Sequence, residues 1–161
     1  MGRSRIIFLL SHLRIKVGEL RSEDIQALGM LQALRVLRMK VAGYKQVVFQ
    51  RFMISADAFP CVMRCKFSGF SMVPSMFPPG AMPKLQHLKF HIRQEDFCWS
   101  EFNVDELALG HLPSVQTVWV RIYGKEEVNQ EVVTKVKAAL MQQARVHSNH
   151  PDIYFRLGLG M

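Results

Sequence analysis

The stretch LSHLRIKV at residues 10–17 returns as LRVLRMKV at residues 34–41, so that Leu10, Leu13, Ile15 and Val17 are matched by Leu34, Leu37, Met39 and Val41. Outward from this pair, the same LxxLxIxV frame recurs in Val62, Cys65 and Phe67, in Leu85, Leu88, Phe90 and Ile92, and in Val115, Val118, Val120 and Ile122. Ile153, Phe155 and Leu157 form a last alternating run. With the second apolar position as marker, residues 13, 37, 65, 88 and 118 lie 24, 28, 23 and 30 apart. These intervals fall in or just beyond the range of about 20–29 residues typical of leucine-rich repeats.

Apolar residues alternating with period two mean a short strand with one buried face. A strand recurring roughly every 25 residues implies a parallel stack joined by crossovers, in which each coil buries its apolar side against its neighbours. A doubly wound α/β sheet would need a long helix in every interval, and only the last interval has one. The expected fold is therefore α/β: a leucine-rich-repeat solenoid, a horseshoe arc with a short parallel sheet on its concave side and a C-terminal helix-plus-strand cap. The chain reads as one domain over residues 1–161, with about five or six irregular repeats.

The connections support this. SEDIQALGML at residues 22–31 has Ser22 as a capping residue, acidic groups in its first turn, and Ile25, Leu28 and Leu31 at helical spacing. It predicts one or two helical turns. FPPG at residues 77–80 and DELALGHLP at residues 105–113 are turn and short-helix signals. From Glu126 to Val146, Val128, Val132, Val136, Leu140 and Ala144 recur every fourth residue, predicting the longest helix. SNHP at residues 148–151 ends it, because a residue before proline avoids helical geometry. At the other end, Ile6–Leu9 runs into the first repeat without a polar cap, so the chain is expected to be the C-terminal part of a longer solenoid.

Composition fits a folded domain, 49% hydrophobic and 21% charged. Three cysteines without a CxxC give neither a disulfide framework nor a paired zinc site, which fits a reducing compartment. The basic start followed by Ile6–Leu10 is too short an apolar run for a secretory signal, and nothing approaches the roughly 20 apolar residues of a membrane-spanning helix. The expected location is cytoplasmic. A net charge of +8 favours nucleic acid, anionic lipid or an acidic protein surface as partner.

Between the strands, the segments ADAFPCVMRCKFSGF (56–70), FPPGAMPKLQHLKFHI (77–92), GHLPSVQTVWVRI (110–122) and HPDIYFRL (150–157) resemble the C-terminal leucine-rich repeats of grass nucleotide-binding disease-resistance proteins. The resemblance covers Leu10–Leu157, and its Phe-Pro-Cys and Pro-Gly-Ala-Met-Pro words are more specific than the leucine spacing. It implies an intracellular immune receptor whose repeats restrain a nucleotide-binding switch, take part in recognising a pathogen effector, or both. The chain departs from that family in having no GxxxxGK[ST] phosphate loop and no coiled-coil region before the repeats. It is not expected to bind nucleotide or to signal alone. A truncated gene, a separated exon and a genuine small protein all remain open.

No candidate for chemistry rises above packing. His147, His150 and Asp152 form an HxxH-like group at a helix end, read as a solvated terminus and not a metal site. Cys65 occupies a repeat position normally held by leucine and reads as a small buried hydrophobe, while Cys98 beside Trp99 has no basic neighbour to activate it. Glu95, Asp96, Glu101, Asp105 and Glu106 read as a solvated acidic loop, and GxSxG, HExxH and dinucleotide fingerprints are absent. No enzyme, cofactor, metal or small-molecule substrate is expected.

Side chains between the apolar positions must point to the other face of the sheet. One such column reads Arg14, Arg38, Lys66, Lys89, Trp119 and Tyr154; the next reads Lys16, Lys40, Ser68, His91, Arg121 and Arg156. Eight of these twelve are Lys or Arg, stacked on strands about 4.8 Å apart, where opposed like charges destabilise by some tenths of a kcal/mol. This predicts a concave protein-binding face for an acidic surface, with Trp119 and Tyr154 as aromatic anchors. The partner implied is the switch domain of the same receptor family, a pathogen effector or a host protein. The alternatives are a stand-alone repeat scaffold, a stripe that merely splays into water, and a basic face that tracks nucleic acid.

Overall fold

The computed structural model describes residues 9–18, 21–41, 54–68, 77–94 and 108–159. Its elements run β1 (His12–Val17), α1 (Ser22–Gly29), β2 (Val36–Val41), β3 (Arg64–Ser68), β4 (His87–Arg93), a 3-10 turn (Leu109–His111), β5 (Thr117–Gly124), α2 (Gln130–Val146) and β6 (Asp152–Leu159). The six strands form one sheet in the order β1-β2-β3-β4-β5-β6, and every neighbouring pair is parallel. The register is the one the apolar frame demands: Leu13 pairs with Leu37, Leu37 with Cys65, Cys65 with Leu88, Leu88 with Val118 and Val118 with Ile153.

One face of the sheet carries the core. Leu37, Met39, Cys65, Phe67, Leu88, Phe90, Val118, Val120 and Ile122 are buried, and Leu34, Val62, Leu85 and Val115 lie beneath the turns that feed the strands. Each fully buried Leu, Val or Phe contributes about 1.5–3 kcal/mol relative to exposure. Leu13, Ile15 and Val17 on β1, and Ile153 and Phe155 on β6, are only partly buried because each of these strands has a sheet neighbour on one side. Burial pushes the Cys65 thiol up, as suits a packing residue and not a nucleophile. Cys98, Trp99 and the acidic residues 95, 96, 101, 105 and 106 lie outside the described residues, as do Ile6–Phe8.

A turn ahead of the strands repeats more strictly than the intervals do. Leu31, Phe59, Met82, Leu112 and His147 each accept at their carbonyl from the N–H three residues on, in Leu34, Val62, Leu85, Val115 and His150. Phe59 and Met82 adopt positive φ, 55° and 46°, ahead of a proline that excludes the right-handed helical region. They are held there by neighbouring turns, since Phe59 N–H donates to Gly29 (2.9 Å) and Met82 N–H to Ala58 (3.1 Å). Gly29 is needed for that approach, because a Cβ there would fall 2.8 Å from Ala58 Cβ. A second ladder runs along the strand starts: the carbonyls of Ser11, Arg35, Met63, Gln86 and Gln116 accept in turn from Arg35, Met63, Gln86, Gln116 and Asp152. Backbone groups at the loop ends are thereby paired, and each turn fixes the next.

Three local expectations need correction. Ser22 is the first residue of α1 and not its cap; Arg21 takes that position, with its N–H bound by the Asp24 carboxylate at 3.0 Å. The long helix begins at Gln130 and not Glu126, because Gln94 pins the preceding loop: its Oε1 accepts from Asn129 N–H (2.8 Å) and its Nε2 donates to Glu127 (3.3 Å). Asn129 then caps α2 by accepting from Glu131 N–H at 2.9 Å, leaving Val128 buried outside the helix. His147 is buried rather than solvated, for a reason visible in the turn series: it occupies the apolar turn position that Leu31, Phe59, Met82 and Leu112 hold. Its Nε2 donates to the Leu112 carbonyl (2.9 Å) and its Nδ1 accepts from Asn149 N–H (3.0 Å), which fixes the neutral tautomer.

Candidate binding surface

The face opposite the core is built by the same alternation. Arg14, Arg38, Lys66, Lys89, Trp119 and Tyr154 are successive register partners across all six strands, so the first column is continuous. In the second, Lys16 pairs with Lys40 and Lys40 with Ser68, while His91 pairs with Arg121 and Arg121 with Arg156. All the residues expected on this face are thus brought together on it. A further column, His12, Val36, Arg64, His87, Thr117 and Asp152, escaped the sequence reading. The signal was there: the alternation extends one step before the first apolar strand residue, and it adds the exposed Arg64. Asp152, at the β6 edge, is the one acidic residue in the described strands.

The column changes character along its length. Arg14, Arg38, Lys40 and Lys16 are exposed, whereas Lys66, Lys89, His91 and Arg121 in the middle are half-buried by their neighbours. Burial, and then the charges of Lys89, Arg38, Arg14 and Lys40, hold the Lys66 ammonium below the usual lysine range. Burial likewise, with Lys66, Arg121, Lys89 and Lys40 adding to it, brings His91 down to about 4, so its imidazole is neutral at pH 7. Ser68 is buried beside them. At the β5–β6 end, Trp119 and Tyr154 stack with ring centroids 4.5 Å apart and planes 21° from parallel, while 45% and 44% of their surfaces stay exposed. Two exposed aromatic rings beside an open cationic row form a platform with one apolar and one charged half.

Two polar atoms on this face are unsatisfied. Among the described residues, His91 Nε2 and Arg121 Nε are buried without a hydrogen-bond partner. The Arg121 head group lies over the backbone of Gly158, where a Cβ would stand 2.9 Å from the guanidinium. Tyr123 meets the His91 ring edge-on at 6.2 Å. No catalytic arrangement of nucleophile, base and orienting group is formed by these residues, and no group of three His, Cys, Asp or Glu suited to a metal occurs among the described residues. No described helix is long and apolar enough to cross a membrane.

A parallel sheet built one strand per 23- to 35-residue turn, with its apolar frame facing loops and short helices, defines a repeat protein. The sequence matches the leucine-rich repeat region family over residues 2–153, and the chain belongs to that family. Such regions generally serve protein–protein binding. No curated protein matches the chain.

Proposed function

We propose that this chain is the recognition part of a leucine-rich-repeat solenoid, with its cationic sheet face concave and docking an acidic protein surface. The observation that carries this reading is the unbroken register Arg14–Arg38–Lys66–Lys89, four cations on adjacent strands. Such a stack stores repulsion that an acidic partner relieves. Lys16, Lys40, His91, Arg121 and Arg156 widen the stripe, and Trp119 and Tyr154 serve as anchors of the kind that dominate interface energetics. The resemblance to grass disease-resistance receptors supports a cytoplasmic immune receptor, in which the partner is the receptor's own nucleotide-binding switch domain, a pathogen effector or a host protein.

The test is a pull-down of the full chain with a matching switch domain, comparing wild type with Arg38→Glu, Lys66→Glu and Lys89→Glu combined. Loss of capture on charge reversal, with an unchanged circular dichroism spectrum, is the expected result. Unchanged capture moves the interface to the loops on the other side of the sheet. The Trp119–Tyr154 stack beside Lys89 and Arg156 also favours a second reading, single-stranded nucleic acid. Binding that falls steeply with salt and is competed by unrelated nucleic acid would select it.

A further inference from the structure

His91 on β4 and Arg121 on β5 are register partners in the middle of the sheet. They also carry the two buried side-chain nitrogens without a hydrogen-bond partner among the described residues, His91 Nε2 and Arg121 Nε. Buried polar groups in folded proteins are almost always paired, so two orphans side by side mark a place whose partner comes from elsewhere. A group that accepts hydrogen bonds and carries negative charge fits this place. Arg121 Nε–H can only donate, and among the described residues the charged groups acting on His91 are cationic: Lys40 from β2, Lys66 from β3, Lys89 from β4 and Arg121 from β5. Among the described residues, Tyr123 also meets the imidazole, edge-on. A carboxylate supplies two acceptor oxygens at one negative centre and fits such a pair of donors.

We propose that His91 and Arg121 form the seat for one carboxylate of the docked acidic segment. The imidazole, neutral in the free protein, takes up a proton in the complex. This rests on the reading of the face as a dock for an acidic partner, and it adds where the partner is held and how pH governs the hold. In the free protein the cations around His91 oppose a further positive charge. A bound carboxylate reverses that balance and lets the imidazole donate from both nitrogens. The Arg121 head group must move to admit the carboxylate. It can do so because it lies against the bare backbone of Gly158 and its Nε makes no hydrogen bond to be broken.

The complex holds a proton that the free protein does not, so affinity rises as pH falls through the imidazole's value in the complex, and levels off near 4, where the free imidazole also titrates. Two further histidines, His12 and His87, stand in the outer column of the same face. The readout is therefore the difference between wild type and His91→Gln.

The probe is a fluorescent hexaglutamate peptide, titrated by anisotropy against the full chain at about pH 7.5 and about pH 5.5 and fixed ionic strength. The wild type is expected to gain about tenfold more affinity on acidification than His91→Gln, the ratio given by an imidazole that titrates near 6.5 in the complex. The imidazole Cε1–H resonance of His91 in the wild-type protein gives an independent reading: saturating peptide should move its titration up by about 2.5 pH units. Peptide binding with equal pH dependence in both proteins and an unmoved His91 titration overturns the proposal and leaves the acidic dock intact. Failure of the folded protein to bind the peptide at either pH overturns both.

Discussion

Phe90 and Lys89 are neighbours in the chain, share β4 and make the same kind of ladder, yet they answer to different physics. Phe90 is buried in the continuous apolar column Met39–Phe67–Phe90–Val120, where every register partner adds to its environment. Lys89 stands in line with Lys66, Arg38 and Arg14, where every register partner but Trp119 subtracts from it. A parallel in-register stack makes both effects cumulative, because it repeats each side chain about every 4.8 Å. The core face is organised for stability and the open face against it, and a face that costs stability in isolation points to a use in binding.

The largest effect expected from this contrast is on the core side. Phe90→Ala removes a fully buried ring from the middle of the stack and should destabilise the fold by about 3–5 kcal/mol in urea denaturation. A loss below about 1 kcal/mol would show that the turns, and not the apolar column, hold the strands together. The next effect is at the turn position. His147→Leu restores the apolar type found at Leu31 and Leu112, but it removes one of the two hydrogen bonds that the Leu112 carbonyl accepts and leaves the Asn149 N–H without its imidazole acceptor. It should cost about 1 kcal/mol, the usual net worth of an intramolecular hydrogen bond, because the Leu112 carbonyl keeps its bond from Val115 and Asn149 is exposed enough to pair with water. A stabilised His147→Leu variant would mean that the repeat wants only bulk there.

How much of this was legible in advance follows the same division. Strand positions and register could be read because period-two alternation and a recurring frame are written in the apolar residues themselves, and Arg38 facing Lys66 follows from Leu37 facing Cys65. The turn series could have been read from Phe59-Pro60, Met82-Pro83 and Leu112-Pro113, but its last member is a histidine. The identity of His147 conceals a position that only the Leu112 carbonyl explains. Gln94 was illegible for a related reason. It sets the start of α2 through hydrogen bonds to residues 33 and 35 positions away, and one polar side chain reaching to backbone leaves no periodic trace. The electrostatics of His91 likewise depend on three cations drawn from three other strands, together with Lys89 on its own.

The smallest effect is the most discriminating, because its sign opposes its consequence. Lys66→Glu places a carboxylate between Arg38 and Lys89 in the column and removes a cation whose ammonium is already held below its usual range. The free protein should therefore become more stable by some tenths of a kcal/mol in denaturant melts at low salt. The gain should fade as added salt shortens the screening length from about 10 Å at 0.1 M toward about 3 Å at 1 M. The same substitution should weaken capture of an acidic partner, so that stability and binding move in opposite directions from one residue. If Lys66→Glu instead destabilises the fold, the lysine stem is packed for its methylenes and its charge is incidental. If stability rises while capture is unchanged, the repulsion is real but the partner sits elsewhere, and the contrast between the two faces of β3 and β4 loses its functional meaning.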